Sequence, residues 1–104
     1  MRRLAPDIPP HVADVIRRLP PDVKHSVKQA IRALAQNPQI GAPLIGDLAG
    51  LWKYRVRRFR IVYEVDRARR ALRVVAVGHH TVIYDELSQA VRRSMKREPS
   101  SQPG

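Results

Sequence analysis

The sequence predicts an α+β domain in which an antiparallel sheet packs against an N-terminal helical hairpin, with a further helix at the C terminus. Two observations carry this. Apolar residues recur at helical spacing from Val12 to Leu34, and the period changes to strict alternation from Trp52 onward. With 104 residues, 43% of them hydrophobic, the chain can build one compact core and not two. Residues 1–97 are therefore read as a single domain and 98–104 as a disordered tail.

The elements follow in order. Residues 2–10 contain three prolines, which cannot donate to a ladder, so a strand there is short and at an edge. Val12, Val15, Ile16 and Leu19 mark one stripe of a first helix. Pro20-Pro21-Asp22 stops it and starts a second, because proline suits a first helical turn and Asp22 favours the positive helix end. Val23, Val27, Ala30, Ile31 and Leu34 keep the helical period until Asn37-Pro38 ends it. Residues 38–51 have no clean period and read as an ordered connection. Trp52–Val56, Phe59–Val65 and Leu72–Val77 are runs rich in β-branched and aromatic residues, the strands of a three-stranded meander. Neither intervening turn, Arg57-Arg58 or Asp66–Ala71, carries the Asn-Gly or Asp-Gly of a tight hairpin, which suggests that the arginines at the first turn are there for charge. Leu87, Ala90, Val91 and Met95 suggest the C-terminal helix, with basic Arg92, Arg93, Lys96 and Arg97 near its end.

Charge narrows the function classes. Twenty Lys and Arg against nine Asp and Glu give a formal net charge of +11, which calls for a polyanionic partner. The excess is uneven: seven basic and four acidic residues lie in 1–52, thirteen and five in 53–104. There is no Cys, hence no disulfide framework and no thiolate metal site, which suits a reducing cytoplasm. The N terminus lacks the apolar run of a signal peptide and no stretch has membrane-spanning length, so export and membrane insertion are not expected.

Alternation puts Trp52, Tyr54 and Val56 on one side of the first strand and Lys53, Arg55 and Arg57 on the other. Trp52 and Tyr63 are expected as core aromatics against the helices. Arg60 joins the cationic row if the hairpin closes in register. Like charges on neighbouring strand positions repel, so stability does not explain the row. Two readings remain: a solvated outer face, common on antiparallel sheets, or a surface for a phosphate backbone. The adjacent His79 and His80 point opposite ways on an extended segment and make a poor chelate, so no metal site is expected. His11 and His25 are read as surface residues.

The order Asn37-Pro38, Pro43-Leu44, Asp47-Leu48-Ala49-Gly50-Leu51-Trp52-Lys53-Tyr54-Arg55-Val56, Phe59-Arg60-Ile61-Val62-Tyr63-Glu64-Val65, then Val74–Gly78 with His79-His80 and Tyr84, resembles the core pattern of RelE/ParE toxins. The resemblance covers roughly Val12–Ala90 and rests on order and spacing, not on any single word. It implies a concave basic surface that holds messenger RNA in the ribosomal A site, and RNA cleavage without metal or other cofactor. In that chemistry a 2′-hydroxyl attacks the adjacent phosphate, cations meet the phosphorane charge, and an acid protonates the leaving oxygen.

Carried over, the resemblance makes Lys53, Arg55, Arg60, His80 and Tyr84 the catalytic candidates. Lys53 and Arg55 would bind phosphate, with Lys53 helping to deprotonate the 2′-hydroxyl. Arg60 would contact the phosphate, His80 would donate the proton, and Tyr84 would stack on or orient the cut nucleotide. Lys53, Arg55, Arg57, Arg58, Arg60 and His79 are the RNA-binding candidates. Two departures stand out: Arg57-Arg58 replaces the usual Gly-Asp, and Ala42 stands where some members place a glutamate base. The partner implied is an acidic, partly disordered antitoxin that folds on binding, in a possible hetero-oligomer. The rival branch of the family poisons DNA gyrase without cutting RNA, and a third reading is an inactive co-repressor that only binds antitoxin.

Overall fold

The computed structural model describes residues 3–79 and Ile83. The chain runs β1 (Ala5–Asp7), α1 (Pro10–Arg17), α2 (Pro21–Gln36), β2 (Ala42–Pro43), β3 (Trp52–Val56), β4 (Phe59–Asp66) and β5 (Ala71–His79). Short 3₁₀ turns at Pro38–Ile40 and Gly46–Leu48 flank β2. Both helices open with proline in the first turn, where a missing N–H costs nothing. Their apolar stripes place Val12, Ile16, Val23, Val27, Ile31 and Leu34 in one core with Ile61, Tyr63, Leu72 and Val74 of the sheet. The expected C-terminal helix and the 98–104 tail lie outside the described residues.

The sheet has five strands in the order β1-β5-β4-β3-β2. The meander β3-β4-β5 is antiparallel, as the alternation predicts. Two features differ from expectation. First, the sheet is mixed: β1 is the anticipated edge strand, but it pairs parallel to β5, Ala5 with Ala71 through Asp7 with Arg73. The chain between these parallel neighbours crosses through the helical hairpin to β2 at the opposite edge and comes back through β3 and β4. Second, the connection contributes a strand, since Ala42 pairs with Lys53 and Pro43 with Trp52. Pro43 is tolerated because β2 is the outer edge. Gly46 (φ 69°) and Gly50 (φ 100°) supply the left-handed turns that let the chain double back between β2 and β3.

The face away from the helices is not uniformly open. Val62 is fully buried there under Ile83, with Leu44, Leu48, Leu51, Val75 and Ala76 around them. A register shift between Val62 and Tyr63 supports this small second core. Val62 pairs with Ala76 and Tyr63 with Val74, so Val75 is the extra residue of a bulge and joins Ala76 on the outer side.

Candidate nucleic-acid interface

Register brings three predicted cations together. Arg55 and Arg60 are direct cross-strand partners, and Lys53 lies two residues along β3 on the same side, opposite Val62. With Ile40, Gly41, Ala42 and Tyr54 they line a shallow groove of about 260 Å³ at the β2 side of the sheet. Arg55 is exposed, and Lys53 and Arg60 are half-buried. The Arg55 Nε donates to the Arg57 carbonyl at 3.1 Å, which ties its guanidinium to the hairpin turn. Cations on one concave wall, with a buried apolar plug beside them, are suited to binding phosphate in a partly desolvated site.

Sequence alternation overextended the row. Arg57 does not continue it: β3 ends at Val56, and Arg57 sits in the left-handed region at φ 58°. Its guanidinium turns toward the helices and donates to the Asp22 carboxylate at 2.7 Å. That hydrogen bond holds the Asp22 pKa below its ordinary value. Arg58 is exposed in the same turn, outside the groove lining. His79 is also displaced from the cluster. It pairs with Phe59, on the helix side of the sheet, and its imidazole meets the Phe59 ring edge-on at 5.9 Å. The position opposite Arg60 belongs to Gly78, where an added Cβ would stand 3.7 Å from Ile83. His80 and Tyr84 lie outside the described residues.

The inner wall of the groove is set by contacts that the sequence did not single out. Tyr63, fully buried, donates its hydroxyl to the Pro38 carbonyl at 2.6 Å. A Cβ on Gly41 would come within 2.1 Å of that hydroxyl and 2.7 Å of the Lys53 carbonyl, so only glycine lets the segment lie this close. Burial pushes the Tyr63 pKa up to about 12, against a backbone hydrogen bond from Gly41 that lowers it. Trp52 stacks on Tyr63, with centroids 6.3 Å apart and planes 25° apart, so both aromatics pack with the core as expected, Tyr63 fully buried and Trp52 half-buried at its edge. Ala42, which carries no carboxylate, lines the groove beside Lys53.

A larger cavity, about 760 Å³, lies elsewhere, between the start of α1 and β5. Its walls include Val12, Val15, Val75 and Val77, and its charges are already paired, Arg73 with Glu64 at 3.4 Å and Asp7 at 3.8 Å. The concentrated cationic chemistry is therefore in the smaller groove. Among the described residues no group of three potential metal ligands occurs, and no helix is long and apolar enough to cross a membrane.

Comparison with known proteins places this geometry. No curated protein matches the chain by sequence. The fold is similar to that of a double-arginine mutant of the Escherichia coli toxin RelE in the free state: TM-score 0.73, 23% identity, covering 88% of this chain and 98% of that one. It is also similar to the toxin–antitoxin complex RelBE2 of Mycobacterium tuberculosis, with TM-score 0.70 and 23% identity over 76% of this chain and 93% of that one. A YoeB/ParE toxin from Agrobacterium tumefaciens matches with TM-score 0.65 and 25% identity over 74% of this chain and 99% of that one. The family model described as ParE-like toxin of type II bacterial toxin-antitoxin system matches residues 8–88. A helical hairpin on a twisted sheet, a cationic groove on the far face and a family match over most of the chain lead to one conclusion: this chain belongs to the ParE-like toxins of type II toxin–antitoxin systems.

Proposed function

We propose that this toxin is a metal-independent, ribosome-dependent messenger RNA endonuclease, held inactive by a cognate acidic antitoxin. The observation that carries the reading is the convergence of Lys53, Arg55 and Arg60 on one concave wall. Arg55 and Arg60 stand where two guanidiniums can grip a phosphate from adjacent strands, and their charge grows in value as the phosphorane forms. Lys53 lines the same groove two residues along β3 from Arg55, and its role in this reading is to hold the attacking ribose and assist loss of its 2′-hydroxyl proton. The attacking oxygen and the phosphate belong to one RNA strand, so the protein's task is to align the strand and neutralise charge. The acid that protonates the leaving 5′-oxygen is assigned to His80, and the stacking group to Tyr84.

Solved relatives include toxin–antitoxin complexes, which supports an antitoxin as the principal partner, and a net charge of +11 favours an acidic one. The rival within the family is gyrase poisoning without RNA cleavage. Primer extension on cellular messages after brief induction separates the two. Cuts inside translated reading frames, absent with Arg60→Ala, are the expected result. Intact messages with arrested growth would move the assignment to gyrase, and intact messages with normal growth would leave an antitoxin-binding module.

A further inference from the structure

We propose that the cavity at the C-terminal end of α2, between Trp52 and the turn arginines Arg67 and Arg70, is a second nucleotide subsite that takes one base and its phosphate from single-stranded RNA. This rests on the nuclease reading of the groove and extends it. The cavity has a volume of about 470 Å³, within the ~300–1,000 Å³ range of small-ligand pockets. Trp52, the only tryptophan, is half-buried in its wall and held in place by its stack on Tyr63. A fixed, partly exposed indole is a platform on which any base can stack. Exposed Asn37 and Gln39 line the same cavity. The Asn37 Oδ1 accepts from the Gln39 backbone N–H at 3.3 Å, while its amide N–H₂ and the Gln39 side chain have no hydrogen-bond partner among the described residues and can meet a base edge.

The arginines supply the anion specificity. Arg73 and Arg57 are paired with acidic groups, and Arg69, in the same turn, lies 3.9 Å from Asp66. Arg67 and Arg70 have no such partner among the described residues and both line the cavity. Arg70 also occupies a left-handed position, φ 53°, where glycine or asparagine is sterically easier. Geometry links the cavity to the groove. Pro38 and Gln39 line the cavity, while Ile40, Gly41 and Ala42 line the groove. Trp52 and Lys53 are consecutive on β3 and face opposite sides. An RNA strand leaving the groove over the β2 edge therefore meets Trp52 next.

The sole indole makes a direct test possible. Titration with a short 2′-O-methyl oligoadenylate, which lacks the attacking hydroxyl, is expected to quench Trp52 emission. The double variant Arg67→Ala/Arg70→Gly is expected to abolish the quench and weaken binding about tenfold. Its glycine suits the turn, so the fold is retained. Three results would overturn the proposal: no quench in the parent protein, equal quench in the double variant, or equal competition by inorganic pyrophosphate, which would mark a bare anion site. A double variant that melts lower but binds the oligonucleotide normally would also overturn it, showing that the arginines only offset the negative end of α2. With 5′-AMP, too short to span both sites, an Arg60→Ala variant is expected to quench like the parent. Loss of messenger cleavage together with that retained quench separates failure of the groove from failure of the subsite.

Discussion

Arg55 and Arg60 face each other across β3 and β4, a placement that works against the sheet. Directly opposed like charges cost about 0.2–1 kcal/mol. Arg60→Ala is therefore expected to raise the melting temperature slightly at low salt while abolishing cleavage, which thermal denaturation and primer extension would check together. A loss of stability would show that Arg60 is a structural residue. Tyr63 carries the opposite balance. Its hydroxyl-to-carbonyl bond to Pro38 contributes about 1 kcal/mol, and burial holds the phenol neutral up to about pH 12. The unfolded phenol ionises near 10, so the contribution is complete below that pH and is lost as pH rises toward 12. Tyr63→Phe is expected to lower stability modestly at neutral pH and to flatten the alkaline decline measured by denaturant titration. Lys53 and Arg55 were legible as a pair from alternation, because neighbours on one strand face have no choice of side, whereas Arg60, on the next strand, joined them only through the register of the hairpin. Arg57 was not, since its direction depends on a turn dihedral and on Asp22, thirty-five residues away.

At the scale of elements, the groove depends on how closely β2 and its preceding turn lie against β3. Gly41→Ala would drive a methyl into the Tyr63 hydroxyl and the Lys53 carbonyl. Such overpacking costs about 1–3 kcal/mol, and here it would also shift the wall beside Lys53. Lower stability and lower cleavage are expected together, with chemical denaturation and a cleavage assay as the readouts. The second core makes a separate demand. Ile83 is 1% exposed and covers Val62, which has no exposure at all. Ile83→Ala should cost about 2–5 kcal/mol by cavity formation, measured as a shift in the denaturant midpoint. A near-neutral effect would mean that the plug is replaceable. The bulge at Val75 and the two-residue strand β2 were not legible in the sequence. Both arise from pairing partners, and a strand as short as Ala42–Pro43 has too few residues to show a period.

For the whole molecule, a net charge of +11 makes association with RNA strongly dependent on salt. Three groove cations on a single strand predict a slope of about −2 in log affinity against log salt. Fluorescence anisotropy with a labelled, uncleavable RNA would measure it, and a slope near zero would sink the phosphate reading of the groove. Periodicity and composition in the sequence alone determined the helical hairpin, the antiparallel meander, the core between helices and sheet, and the sign of the net charge. Each of these depends on local spacing or on composition, and neither changes when the chain folds. Only tertiary structure decided that β1 returns parallel to β5, that Ile83 closes part of the outer face, and that Arg57 and His79 leave the cationic cluster while Arg55 and Arg60 meet in it. Those outcomes turn on pairing between residues far apart in the chain, where direction and register are chosen by the fit of whole surfaces.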